Sequence, residues 1–282
     1  MKPAITLHHV SYRYSNGVMA LKDINLSIFQ GKKTAILGRN GAGKSTLLFL
    51  LNGINKPSTG TLKLKDIPYR YDNRSLRNLR RQVGLLFPDP DAQLVAPSVY
   101  EEISFGLLNI SNEKKWVEQR VDQALERFEL EAIAKIAPHQ LSAGQKKRVC
   151  LAAIMAMEPE VLVCDEPASS LDPYYTRQMF DELDKLNATG KTIIYTSHDI
   201  DQVYEWADHL VLVHEGSIAA QGPVAEVVQH ENTFKDCGLH LPVVFEVGKW
   251  LHLEPLPANL EELKKALKIR QRKMFTERVE NN

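Results

Sequence analysis

Apolar residues along the chain fall into two kinds of run. Ile5-Thr6-Leu7-His8-His9-Val10-Ser11-Tyr12 and Ile24-Asn25-Leu26-Ser27-Ile28 alternate with polar positions, the period-two pattern of half-buried strands, and Ser15-Asn16-Gly17 supplies a turn between them. Val83 to Phe87 is a continuous apolar run suited to a buried strand. Val161 to Cys164, Thr192 to Thr196 and Leu210 to Val213 are β-rich runs bounded by turns or helical patterns, as expected of parallel strands covered on both faces. A further short strand pair is expected after Pro57-Ser58-Thr59-Gly60. In the middle of the chain the period changes: Trp116, Val117, Val121, Ala124, Leu125 and Phe128 fall at helical spacing, with Ser111 as the expected cap. No internal repeat is evident. The pattern predicts an α/β chain.

Composition narrows the function classes. At 282 residues with 44% hydrophobic content, the chain can bury one large α/β domain and something small beside it. Its 35 Lys and Arg balance 35 Asp and Glu, so no basic field draws it to nucleic acid or to an anionic membrane surface. Cys150, Cys164 and Cys237 show no metal-ligand spacing and suit a reducing compartment. No apolar run approaches the roughly 18 residues needed to span a bilayer, and Met1-Lys2-Pro3-Ala4 lacks a signal-peptide core. The expectation is a soluble chain whose partners are found by specific contacts.

The chemistry begins at Gly38-Arg39-Asn40-Gly41-Ala42-Gly43-Lys44-Ser45-Thr46, which fits G-x-x-x-x-G-K-[ST]. It follows the run Thr34 to Leu37 and opens the run Leu47 to Leu51, the strand–loop–helix order that a phosphate site requires. Backbone N–H groups of such a loop curl around phosphate oxygens, the helix aims its positive end at them, and the Lys44 ammonium can reach the β and γ oxygens. Ser45 is then placed to ligate Mg²⁺. Downstream, Val161 to Cys164 ends in Asp165-Glu166, so two carboxylates emerge at a strand end beside the nucleotide. Asp165 is the natural hard ligand for Mg²⁺, leaving Glu166 to orient and deprotonate the attacking water. His198, just past the run Ile193 to Thr196, can hydrogen-bond a γ-phosphate, although a lone histidine is ordinarily structural. A third feature, Leu141-Ser142-Ala143-Gly144-Gln145-Lys146-Lys147-Arg148, leads into the apolar helix Val149 to Met157. Ser142 serves there as an N-cap, and a glycine-bearing helix N-terminus is also an anion site.

Together these motifs resemble the ATP-binding cassette (ABC) ATPases over roughly residues 3 to 230. The phosphate loop, the signature Leu141 to Gln145, the Asp165-Glu166 strand and His198 stand in the family's order. The resemblance implies an ABC-type P-loop NTPase fold: an N-terminal antiparallel β subdomain, a helical signature subdomain at about residues 95–158 within a cassette at 1–230, and a small extension at 231–282. It implies ATP and Mg²⁺ as cofactors and Glu166, His198 and Lys44 as catalytic residues. Tyr14 maps to the aromatic that stacks on adenine, and Ser170-Leu171-Asp172 to the D-loop. Two cassettes of the family dimerise head to tail, so Ser142, Ala143, Gly144, Gln145 and Asp172 would contact the nucleotide held by a second subunit.

There are two departures. Ala143 replaces a signature glycine, a small change where the backbone φ is negative. Pro88 occupies the position of the Q-loop glutamine, and Gln93, five residues on, reads as an ordinary member of the loop rather than its substitute. Water in the missing ligand position and slower or less tightly coupled hydrolysis are expected. Asp89 to Gly106 resembles the cassettes of energy-coupling-factor importers, and Leu151 to Glu160 with Tyr71 to Leu76 their cobalt and nickel branch. That likeness implies an ATPase at the cytoplasmic face of the cell membrane. Its partners would be a second ABC ATPase subunit and integral scaffold and substrate-capture proteins, with no nucleic acid, and the ion would never touch this chain. A vitamin-type importer of the same class and a non-transport ABC ATPase are the alternatives. In the tail, Asn259 is expected to cap a helix whose Leu260, Leu263 and Leu267 form an apolar stripe, and the resemblance implies that this extension helps hold the dimer. Arg270-Gln271-Arg272-Lys273 reads as a solvated basic end.

Overall fold

A computed structural model describes residues 1–169 and 171–280 of the chain, with side chains up to residue 271. In chain order the elements are β1 (Pro3–Arg13), β2 (Met19–Phe29), β3 (Lys33–Leu37), α1 (Lys44–Leu51), β4 (Thr59–Leu64), β5 (Ile67–Pro68), α2 (Asn73–Gln82) and β6 (Val83–Leu86). They continue as α3 (Val99–Leu108), α4 (Lys114–Arg127), α5 (Ala143–Ala156), β7 (Val161–Asp165), α6 (Pro173–Ala188), β8 (Thr192–Ser197) and α7 (Ile200–Tyr204). The last elements are β9 (His209–His214), β10 (Ser217–Pro223), α8 (Val224–Val227), α9 (Glu231–Asp236), α10 (Val243–Trp250) and α11 (Leu260–Glu280).

Strands β2-β1-β4-β5 form an antiparallel sheet, and β10-β9-β3-β8-β7-β6 form a second sheet in which β9, β3, β8, β7 and β6 run parallel. The continuous apolar runs thus become the parallel strands, because both of their faces are covered. Side-chain alternation along β3 shows the layering. Ile36 packs with α1 and the antiparallel sheet, whereas Ala35 and Leu37 pack with the helices of the opposite face. Leu47, Leu48, Leu50 and Leu51 of α1 fill the space between the two sheets, which fixes this helix behind the phosphate loop.

Two details differ from expectation. Helix α4 starts at Lys114 with Glu113 at its N-cap position; Ser111 does not cap it, because its hydroxyl is turned to accept the N–H of Glu113 two residues on. Of the tail stripe, Leu263 is buried while Leu260 and Leu267 remain exposed. Asn259 does cap α11, accepting the N–H of Glu262 at 2.8 Å. Phe234, Cys237 and Phe245 join the larger core, so residues 234–245 pack on the rest of the chain. Arg270 donates to the carbonyl of Leu251; the side chains of Arg272 and Lys273 lie outside the described residues, as does Ser170. No helix among the described residues is long and apolar enough to cross a membrane.

Candidate functional site

The sheet order brings the three sequence motifs together. β8 lies between β3 and β7, with Leu37 level with Ser197 and Asp165 level with Thr196, so the chain leaves all three parallel strands at one edge. Ligands of open α/β sheets bind at this carboxyl edge. A cleft of about 710 Å³ opens there, lined among others by Tyr14, Asn40, Lys44, Ser45, Thr46 and Glu166. Pro88 and Asp165 also line it.

The loop from Gly38 to Gly43 needs glycine most plainly at Gly43, whose φ of +109° is left-handed and whose Cβ would lie 2.9 Å from the carbonyl oxygen of Ala20. Helix α1 begins directly after it with no side-chain cap, so its first N–H groups are left for an anion. Lys44 is 6% exposed; its Nζ donates to the carbonyl of Gly38 at 2.8 Å and lies 3.3 Å from Glu166 Oε1. The second oxygen of Glu166 lies 3.3 Å from His198 Nδ1. One carboxylate therefore bridges the lysine of the loop and the histidine beyond β8. The backbone of Glu166 has a φ of +42°, a left-handed conformation that a non-glycine residue keeps only when its surroundings hold it.

Thr196 does part of that holding, and the sequence did not single it out for this. Its hydroxyl donates to Asp165 Oδ1 at 2.6 Å and accepts the N–H of Glu166 at 2.9 Å. Asp165 is 2% exposed, and Oδ2 makes no protein hydrogen bond among the described residues. A buried carboxylate with one oxygen anchored and one open, beside the Ser45 hydroxyl in the same cleft, is a donor set of hard oxygens suited to Mg²⁺. Tyr14 is 38% exposed, and its hydroxyl is 2.7 Å from that of Thr46, so the phenol lies over the start of α1.

The signature residues do not line this cleft. Ser142 and Gln145 form a capping box: Gln145 N–H donates to Ser142 Oγ, and Ser142 N–H donates to Gln145 Oε1 at 2.9 Å. Ala143 opens α5 and is not among the positive-φ residues, so its methyl group fits the helical backbone. A Cβ on Gly144 would meet the ring of Tyr175 at 3.1 Å. Asp172 caps α6 by accepting the N–H of Tyr175 at 2.9 Å. Gln93 is tied to the end of β6, accepting the N–H of Phe87 at 3.0 Å and donating to the carbonyl of Leu85. Its side chain is thus spent on the loop, and the cleft at this point is faced by Pro88.

The tail reaches the site from another side. Gly238, with φ +63°, lies so close to Arg39 of the phosphate loop that a Cβ would come within 2.8 Å of Arg39 Cδ. Further along the tail, Val243 N–H donates to Asp201 Oδ1 at 2.8 Å, next to the loop that carries His198. Asp199, Asp201 and His240 converge at this junction.

A protein-family model described as ABC transporter matches residues 21–169. The chain belongs to the ABC transporter family. An energy-coupling factor transporter ATP-binding protein, EcfA2, of Methanospirillum hungatei is 42% identical over 251 residues, which is 89% of this chain; the chain spans 63% of that relative's length. The solved structure of CbiO1 from Clostridium perfringens, described as part of the ABC transporter complex CbiONQ, has a TM-score of 0.75 at 38% identity and covers 90% of this ABC chain, which in turn covers all of it. The ATP-binding cassette MJ0796, solved as a dimer in a post-hydrolysis state bound to ADP and Pi, has a TM-score of 0.70 at 28% identity; the match covers 78% of this chain and 98% of that one.

Proposed function

We propose that the protein is the ATP-hydrolysing subunit of an energy-coupling-factor importer, peripheral to the cytoplasmic face of the membrane. The observation that carries this reading is the Lys44–Glu166–His198 constellation at the mouth of the phosphate loop. Free N–H groups at the start of α1 and Lys44 are suited to the phosphates, Tyr14 to the adenine, and Ser45 and Asp165 would hold Mg²⁺. The bound ion supplies charge neutralisation on the phosphate oxygens. Release of Glu166 from Lys44 frees its carboxylate to orient and deprotonate water, a role typically worth about 10²- to 10⁴-fold in rate. His198 then faces the γ-phosphate.

The reading includes a dimer. Ser142, Ala143, Gly144, Gln145 and Asp172 stand away from their own cleft, and MJ0796, solved as a dimer, supports their use on a partner's nucleotide. Charge-assisted contacts available only across the closed pair shift the population toward closure, and hydrolysis removes them. Driving a scaffold from 1:99 to 99:1 takes about 5.5 kcal/mol. The extension at 231–282 is read as a dimerisation element, with exposed Leu260, Leu267 and Trp250 available for it. Cobalt or nickel is the cargo class favoured, on the resemblance of Leu151 to Glu160 and Tyr71 to Leu76 to that branch of the importers. Purification of the tagged full-length protein from membranes, with mass spectrometry of co-purifying integral proteins and ATPase assays of native and Glu166→Gln forms, tests the reading. Co-purified scaffold and turnover lost in the variant are the expected results.

A further inference from the structure

Two adjacent lysines at the start of α5 reach in different directions. Lys146 Nζ lies 2.6 Å from Asp91 Oδ1, in the loop after β6. Lys147 turns inward, is 2% exposed, and donates from Nζ to the carbonyls of Pro167 at 2.6 Å and Ser169 at 2.7 Å. Those carbonyls belong to the loop that begins at Glu166 and leads to Asp172. On the other side of the same turn, the Tyr175 ring rests on Gly144. The start of α5 is therefore tied by the Lys147 ammonium to the segment Pro167–Ser169 and touched by the Tyr175 ring from the first turn of α6.

Burying an ammonium is costly, and burial pushes Lys147 down to about 8. A methionine of similar length would fill the space without that cost but would leave two carbonyls without donors. The left-handed backbone of Glu166 also has to be held from outside. Thr196 holds its N–H, and Lys147 holds the carbonyl of the residue that follows it.

We propose that Lys147 is a positioning residue, fixing the segment Pro167–Ser169 after the water-orienting Glu166 to the signature turn, so that this carboxylate and the surfaces presented to a partner's nucleotide move as one body. The inference rests on the ATPase reading given above. Its failure is distinguishable from the failure of that reading, because the native protein's own turnover tests the reading and the Lys147 variants test the inference.

The experiment compares native, Lys147→Met and Lys147→Arg forms of the full-length protein for nucleotide binding, steady-state hydrolysis and amide hydrogen exchange. For Lys147→Met the expectation is unchanged affinity for ATP at the phosphate loop, kcat reduced about ten- to a hundredfold by mispositioning, and faster exchange at the described amides between Ala168 and Leu171. Lys147→Arg, which restores a cationic donor, recovers part of the kcat. Hydrogen exchange needs no turnover, so it decides the matter even where hydrolysis is too slow to compare. Unchanged kcat or unchanged exchange in Lys147→Met overturns the proposal. So does equal loss of binding and turnover without rescue by arginine, which marks a merely structural residue. If Lys147→Met does not fold, Lys147→Gln is used with the same expected and contrary results.

Discussion

Thr196 Oγ1 lies 2.6 Å from Asp165 Oδ1, a buried hydrogen bond between neighbouring strands at the edge where the nucleotide motifs meet. Because the same hydroxyl accepts the N–H of Glu166, one side chain holds the Asp165 carboxylate and the Glu166 backbone. Thr196→Val keeps the shape and removes both bonds. Stability is expected to fall by about 1–3 kcal/mol, since a buried acceptor and donor lose their partner, as read from urea unfolding. Turnover is expected to fall further than ATP affinity does, which the separation of kcat from KM will show.

A second prediction concerns the tail. Gly238 has a left-handed backbone and sits against Arg39, so Gly238→Val should cost about 1–2 kcal/mol from the backbone alone, measured by chemical denaturation. It also pushes on the phosphate loop, so ATP affinity is expected to drop. A valine at this position that leaves affinity unchanged would separate the tail from the site.

The elements that carry each motif were legible because each motif is local. The glycine loop, the acid pair and the signature cap are contiguous residues whose element context could be read beside them. Thr196 was not legible as a ligand to Asp165, because that bond depends on the register of β7 against β8, thirty-one residues apart in the chain. Lys147 was hidden for a similar reason: its partners follow a strand that the sequence alone does not bring to the helix. Nothing in the spacing of Phe234, Cys237 and Phe245 reveals that they pack into the larger core. Ser111 misled because a serine before a helical pattern has two uses, cap or turn, and local geometry chose the second.

The pH dependence of stability follows from Lys147. In the unfolded chain its ammonium titrates at the ordinary 10.5, and in the folded protein burial lowers it to about 8. Between these values the unfolded chain binds more protons, so this group makes stability rise with pH; below pH 8 its burial cost is fully present. Unfolding free energies of native and Lys147→Met proteins, taken from pH 7 to pH 9.5, should therefore differ by an amount that shifts in favour of the native protein as pH rises. A difference that is flat across this range would contradict the assignment.

Pro88 faces the cleft where the family places glutamine, and Gln93 is held by the backbone of Phe87 and Leu85. Introducing the side-chain oxygen by Pro88→Gln is expected to raise turnover and to strengthen its dependence on the proposed membrane scaffold. Gln93→Ala should instead loosen the loop and lower stability, with its effect on turnover following from that. ATPase rates with and without the reconstituted scaffold distinguish the two.

In the proposed cycle two chains close on nucleotide, each completing the other's pocket. The most direct measurement is sedimentation of the full-length Glu166→Gln protein with and without ATP and Mg²⁺. A shift from monomer to dimer on adding nucleotide, abolished by a second substitution at Ser142, is the result predicted. A protein that remains monomeric at high concentration with saturating ATP and Mg²⁺, both alone and with its membrane assembly, would contradict it.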